Sequence, residues 1–147
     1  INQDERYIKV KSKDIYSSYK DNNDEMIIII KEGIFYKTYD DDALLMWYLF
    51  DYVFKDRVVS FGNNSYDKVI NKLKKIDINF MIVSKNEKVL DFVSDRNNYK
   101  VYLGLANISF AKKTQEELLV KKMKDILNKT DCYTEVNDFL DSIVNIG

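Results

Sequence analysis

The 147-residue sequence contains no histidine, no proline, four glycines and one cysteine. Each shortage closes a class of function. Without His there is no Ser-His or Cys-His nucleophile pair, no imidazole metal ligand and no imidazole base near neutral pH. One thiol, Cys132, cannot close an internal disulfide; a reducing compartment is the simplest setting, and the cytoplasm is the expected location. No apolar run reaches the ~18 residues of a spanning helix, so no membrane partner is expected. The opening INQDERYIKV lacks the basic-then-apolar order of a signal peptide and does not begin with Met. Net charge gives no direction either, because 23 basic and 24 acidic side chains leave −1. Domains that hold DNA by bulk electrostatics run strongly basic, so any nucleic-acid contact here must come from a local patch. There is no Walker A loop, no G-x-G-x-x-G, no zinc spacing and no G-x-S-x-G. The expectation is a non-enzyme with no cofactor and no metal.

What is present is a core. Apolar residues make up 46% and aromatics 14%, enough for residues 1–147 to form one domain. Residues 6–10 (RYIKV) suggest a short strand, and Ser12 is placed to cap a helix running to about Asn22. MIIIIK (26–31) is a β-branched run that suits a strand buried on both faces. Glu32-Gly33 predicts a turn, and IFYKTY (34–39) a returning strand. Asp40, Asp41 and Asp42 stand where a helix should begin, to cap its free amides and oppose its dipole. The alternative, a magnesium site, needs carboxylates that converge, which three consecutive residues do not provide.

The segment that follows, ALLMWYLFDYVF, is apolar almost all round and predicts either a central helix or half of an interface. RVVSFG (57–62) and NFMIVS (79–84) read as strands flanking a helix at 66–76 capped by Asn64 or Ser65. Val69, Leu73 and Ile76 line one side of that helix, and Lys68, Lys72 and Lys75 form a basic stripe. KVLDFVSDRNNYKVYLGL predicts a strand, an Asn-Asn turn and a further strand. From Lys112 the pattern turns helical, with Thr114 and Glu117 as a capping box and Leu119, Met123, Ile126 and Leu127 on one face. A last helix at about 134–145 should bury Val136, Phe139, Leu140 and Ile143. The order of elements is α+β, a mixed β-sheet packed by helices with a helical C-terminal end at 112–145. DSIVNIG reads as a helix end, which favours a small self-standing domain over a fragment.

One family accounts for part of this order. IIIIKEGIFYKTYDDDA resembles the N-terminal mismatch-recognition domain, domain I, of MutS-type DNA repair proteins. There a strand runs into Gly-Asp-Phe-Tyr-Glu, then an aromatic residue and an acid-rich helix start containing Asp-Ala. VVSFGNNSYDKVINKLKKIDINFMIVSK is similar to that family's next strand, turn, helix and strand, and KDIYSSYKDNNDE to its opening helix. The resemblance covers residues ~12–85 and implies a MutS domain I-like fold with two extra C-terminal helices. It also implies a non-catalytic DNA-binding module that contacts double-stranded DNA, mismatched or distorted, from the minor groove. Phe35 takes the position of the wedge that stacks on an unpaired base, with Tyr36 beside it. The family's Glu position holds Lys37, and an ammonium only donates hydrogen bonds. That exchange favours phosphate contact and implies altered or lost mismatch specificity. Lys68, Lys72 and Lys75 are the remaining candidate phosphate contacts. A protein-interaction or homodimeric module that keeps the fold without reading DNA is the alternative.

Overall fold

The structure is a computed structural model that describes residues 12–128 and 133–146. The expected strand at 6–10 and Cys132 lie outside the described residues, as does the side chain of Val136. The chain divides into two compact units, one reaching Ala106 and the other starting at Asn107.

Consecutive isoleucines set the middle of the first unit. Strand β1 (Ile27–Glu32) lies between β2 (Phe35–Tyr39) and β4 (Phe80–Ser84) at the centre of a five-stranded mixed sheet. Its pairing with β2 is antiparallel and its pairing with β4 is parallel. Strands β3 (Val58–Gly62) and β5 (Glu87–Phe92) pair antiparallel to β2 and β4 and form the edges. Alternate side chains of β1 enter two cores, which explains an unbroken apolar run. Ile27 and Ile29 face helices α2 (Asp40–Phe50) and α3 (Tyr66–Lys75) and the start of α4 (Tyr99–Leu127). Ile28 and Ile30 face helix α1 (residues 12–20), which contributes Tyr16 with Ile15 and Tyr19 against it. The α+β class with a mixed sheet packed by helices is therefore the observed architecture.

The apolar segment after Asp42 is a central helix. Ala43, Leu44, Leu45 and Met46 are all buried in the core beneath the sheet, together with Phe50. Helix α2 ends where Asp51 adopts a left-handed backbone (φ 60°) and its amide bonds the Trp47 carbonyl.

Several boundaries differ from the sequence reading. The β1–β2 turn is Gly33-Ile34, with only Gly33 at positive φ (63°), the pattern of a type II′ hairpin turn. Ile34 therefore belongs to the turn and projects into solvent, not inward as a strand residue. Asn97-Asn98 is not a hairpin turn, and no strand follows it: α4 begins at Tyr99 rather than Lys112. Here the two Asn side chains tie the chain to earlier loops. Asn97 Oδ1 accepts the Asn79 amide at 3.0 Å, and Asn98 Nδ2 donates to the Ile76 carbonyl at 2.9 Å. The Asn98 carbonyl then accepts the Tyr102 amide and opens the helix. Tyr99, Tyr102, Leu103 and Ala106 fall at helical spacing and pack against the main core. Helix α3 is preceded by a 3₁₀ turn, Asn63–Ser65, and has no side-chain cap from Ser65.

In the second unit, α4 from Asn107 runs on to Leu127 and α5 spans Tyr133–Ile146. Thr114 lies inside α4, where its hydroxyl donates to the Phe110 carbonyl, so it caps nothing. Lys124 forms an ion pair with Asp141, and Val120 and Leu140 are buried. Phe139 and Ile143, expected to be buried, are exposed. Among the described residues no helix is long and apolar enough to cross a membrane.

Candidate nucleic-acid interface

Hairpin geometry decides which predicted contact residues are available. Phe35 pairs with Glu32 on one side and with Gly62 on the other. Gly62 offers no side chain to cover the Phe35 ring, which is 50% exposed beside Ile34 at 64%. Two large apolar residues thus stand together at the hairpin end. Lys37 lies two residues on, opposite Ser60, and projects from the same sheet face as Phe35. Its ammonium is 3.1 Å from Glu32 Oε2, an oxygen that also accepts the Ser12 hydroxyl at 2.9 Å. Lys37 is therefore half-buried and already has a carboxylate partner.

Tyr36 faces the other way. It is 6% exposed and stacks on Phe61 at a centroid distance of 5.2 Å, with Tyr66 at 5.1 Å. Its phenol is pushed up from the ordinary tyrosine value by burial and then by Asp67. Tyr36 belongs to the core that anchors the hairpin, which removes it from the contact surface.

Lys68, Lys72 and Lys75 remain exposed on α3 but do not join Phe35. Helix α3 packs through Val69, Ile70 and Leu73 on the sheet face that Tyr36 occupies, opposite the one that Phe35 and Lys37 occupy. Lys72 also has a structural task. Its ammonium donates to the Leu49 carbonyl at 2.8 Å, in the last turn of α2, and sits 5.2 Å from the Phe50 ring centroid. Helix α2 has no basic residue of its own in its last turn, and Lys72 supplies the missing positive charge. Lys68 lies over the Tyr52 ring at 5.8 Å. Lys72→Gln is expected to lower stability by about 0.5–1 kcal/mol, measured by thermal denaturation. An unchanged melting curve would return Lys72 to the pool of free surface cations.

Sequence reasoning passed over one basic residue near the hairpin tip. Lys31, the last β1 residue before Glu32, is exposed with its ammonium 5.9 Å from the Tyr36 ring centroid. Lys31 and Lys37 flank Ile34-Phe35 from the two strands. The exposed doublet carried no signal in the sequence because it depends on which residues form the turn.

The three acids diverge. Asp40 pairs with Lys13 at 2.6 Å and with Arg57 at 3.1 Å, and Asp41 with Arg57 at 3.6 Å. Burial pushes the Asp40 carboxyl up, but Lys13 and Arg57 outweigh it and hold the group below its ordinary value. All three acids stand in the first turn of α2, as expected for opposing its dipole, but the N-cap is Tyr39, with no side-chain capping bond, so none of them caps the helix. Asp42 instead enters the interior. Continuing the β1–β2 register would place Tyr39 opposite Ile28, but the chain turns into α2 at Asp40 and the ladder stops. The Ile28 amide donates to Asp42 Oδ2 at 3.0 Å in its place. Lys20 reaches Oδ1 at 2.8 Å, Tyr99 reaches Oδ1 at 2.6 Å, and the Tyr16 hydroxyl lies 2.9 Å from Oδ2. Asp42 is fully buried, and burial pushes its carboxyl up against the pull of Lys20 and the Ile28 amide. All four neighbours donate, an arrangement that fits the carboxylate. Lys20 also donates to the Met26 carbonyl at 2.6 Å, so it too is held. This cluster ties α1, β1, α2 and α4 together. Among the described residues no group of His, Cys, Asp and Glu side chains is placed to hold a metal.

No protein-family model matches this chain, and no curated protein matches it.

Proposed function

We propose that the chain is a non-catalytic DNA-binding module that presents the Ile34-Phe35 hairpin tip to distorted duplex DNA. The observation that carries this reading is the pair of exposed apolar side chains at a tight turn, flanked by Lys31 and Lys37 and anchored by the buried Tyr36. Apolar side chains that enter between base steps are a minor-groove device, and lysines at either side suit the adjacent phosphates. The order α1-β1-β2-α2-β3-α3-β4 over residues 12–84 is what a MutS domain I-like fold would require, and it supports that finer reading. Lys37 in the family's Glu position gives the tip an ammonium where a hydrogen-bond acceptor would read a base. Binding is therefore to shape and deformability, with mismatch identity read weakly or not at all. Lys68, Lys72 and Lys75 contribute little, because α3 lies over the opposite sheet face and Lys72 serves α2.

Fluorescence anisotropy with perfect, mismatched and bulged duplexes tests this. Phe35→Ala should weaken binding to the bulged duplex about tenfold, since stacking of an aromatic on a base is worth roughly 1–3 kcal/mol. With two lysines at the tip the logarithmic salt slope should be shallow, about −2. Equal affinity of wild type and Phe35→Ala, or no binding to any duplex, would end the wedge reading.

A further inference from the structure

Phe35 and Lys37 share their sheet face with one more charged side chain of the hairpin. Glu32 is the register partner of Phe35 across the turn, so its carboxylate stands at the base of the exposed ring. Glu32 Oε2 is held from two sides, by the hydroxyl of the buried Ser12 at 2.9 Å and by the Lys37 ammonium at 3.1 Å. Lys31, the other lysine near the tip, turns to the opposite face, over the Tyr36 ring. Among the described residues of β1 and β2, the face that carries Phe35 therefore has one cation and one anion, paired with each other. The Glu32 and Lys37 side chains are 38% and 35% exposed, so a polyanion that reaches Phe35 meets both.

We propose that Glu32 is an electrostatic brake on the hairpin tip, a carboxylate that holds Lys37 back from phosphate and opposes every duplex alike. The proposal rests on the DNA reading of the tip and adds what regulates it. Two effects combine. A phosphate gains the Lys37 ammonium only in exchange for Glu32, which then loses that cation beside a polyanion. The carboxylate also repels the approaching backbone directly. Attraction to phosphates supplies nearly all sequence-independent binding, and a hairpin face without net charge suppresses it. Insertion of Phe35 is what the brake leaves untouched, and insertion needs base steps that open easily. Glu32 thus confines the module to distorted sites without reading a base.

Anisotropy on the whole chain, with perfect and bulged duplexes, tests this. Glu32→Gln keeps an oxygen for the Ser12 hydroxyl and removes the charge. It should tighten binding to both duplexes by the same factor, about three- to tenfold at low salt. The gain should fall below about twofold near 0.3 M salt, where exposed charges are screened. Lys37→Gln should cost more affinity in the Glu32→Gln background than in the wild type, a difference that a merely structural Glu32 would not produce. Glu32→Ala should give the same gain, with circular dichroism confirming the fold, so that a folding defect in one variant does not decide the result. Variants that bind where the wild type does not would support the brake. A wild type that binds while neither variant binds more tightly overturns the brake and leaves the reading of the tip standing. So does a gain confined to one duplex, which would make Glu32 a base contact. Silence from the wild type and both variants ends both readings.

Discussion

Replacing Asp42 with alanine is expected to destabilise the fold by about 3–5 kcal/mol, the range for breaking one side of a buried ion pair. The loss would appear as a lower urea midpoint with an unchanged slope. Four donors lose Asp42 as an acceptor at once: the Lys20 ammonium, the Tyr16 and Tyr99 hydroxyls and the Ile28 amide, of which Tyr16 keeps the Tyr39 carbonyl at 3.1 Å. Lys20 suffers most, because it keeps the Met26 carbonyl but has no counter-charge left in a half-buried site. Adding Lys20→Met should restore part of the loss, since the unpaired cation, more than the missing bond, is what the fold cannot accommodate. A loss below about 1 kcal/mol for Asp42→Ala alone would mean that water reaches the cluster and that the pair is not buried in solution.

The same cluster should make the protein sensitive to alkali. Burial first, and the Asp42 charge second, push the Tyr16 and Tyr99 phenols far above the ordinary tyrosine value of 10.0. In the fold both stay protonated, whereas in the unfolded chain they ionise near pH 10. The unfolded state therefore binds fewer protons above that pH, and stability falls as pH rises. Below about pH 10 the contribution is intact. Above it, two such groups lower stability by up to about 2.7 kcal/mol per pH unit, twice the 1.36 kcal/mol of a single titration. Phenolate absorbance should consequently appear in two stages, with these two rings titrating only as the helical signal collapses. The Tyr16→Phe, Tyr99→Phe double variant should show a flatter fall in stability with pH. Smooth titration of all tyrosines without unfolding would contradict the geometry.

Much of the first unit was legible because local signals agreed with one another. The isoleucine run suited a strand buried on both faces, and Gly33 and the aspartates bracketed the hairpin and the helix after it. The failures share a cause, which is that a side chain was assigned its commonest local partner when a distant one took it. Asn97 and Asn98 have turn chemistry in isolation, but here they hydrogen-bond to residues 76–79 and start a helix. Thr114 with Glu117 looks like a cap, yet the helix had begun fifteen residues earlier at Tyr99 and the hydroxyl turns back on Phe110. The aspartates suggested capping, and nothing local could show that Asp42 would replace a missing strand partner for Ile28. At the candidate interface, alternation along IFYKTY is enough to put Phe35 and Lys37 on one face. It does not place Ile34, because one residue's difference in the turn decides between interior and solvent.

The parallel pairing of β1 with β4 has a consequence for aggregation. Strand β2 follows β1 closely and β5 follows β4, but β1 and β4 are joined across nearly fifty residues of chain. Until Phe80–Ser84 arrives, the strand carrying Ile27 to Ile30 has one backbone edge bare, with apolar side chains on both sides of it. Such an edge is a template for any other extended chain, and nothing charged interrupts it before Lys31. A truncated or nascent chain that stops before Asn79 therefore carries the stickiest segment of the molecule uncovered, and β4 protects the protein from itself as well as completing its sheet.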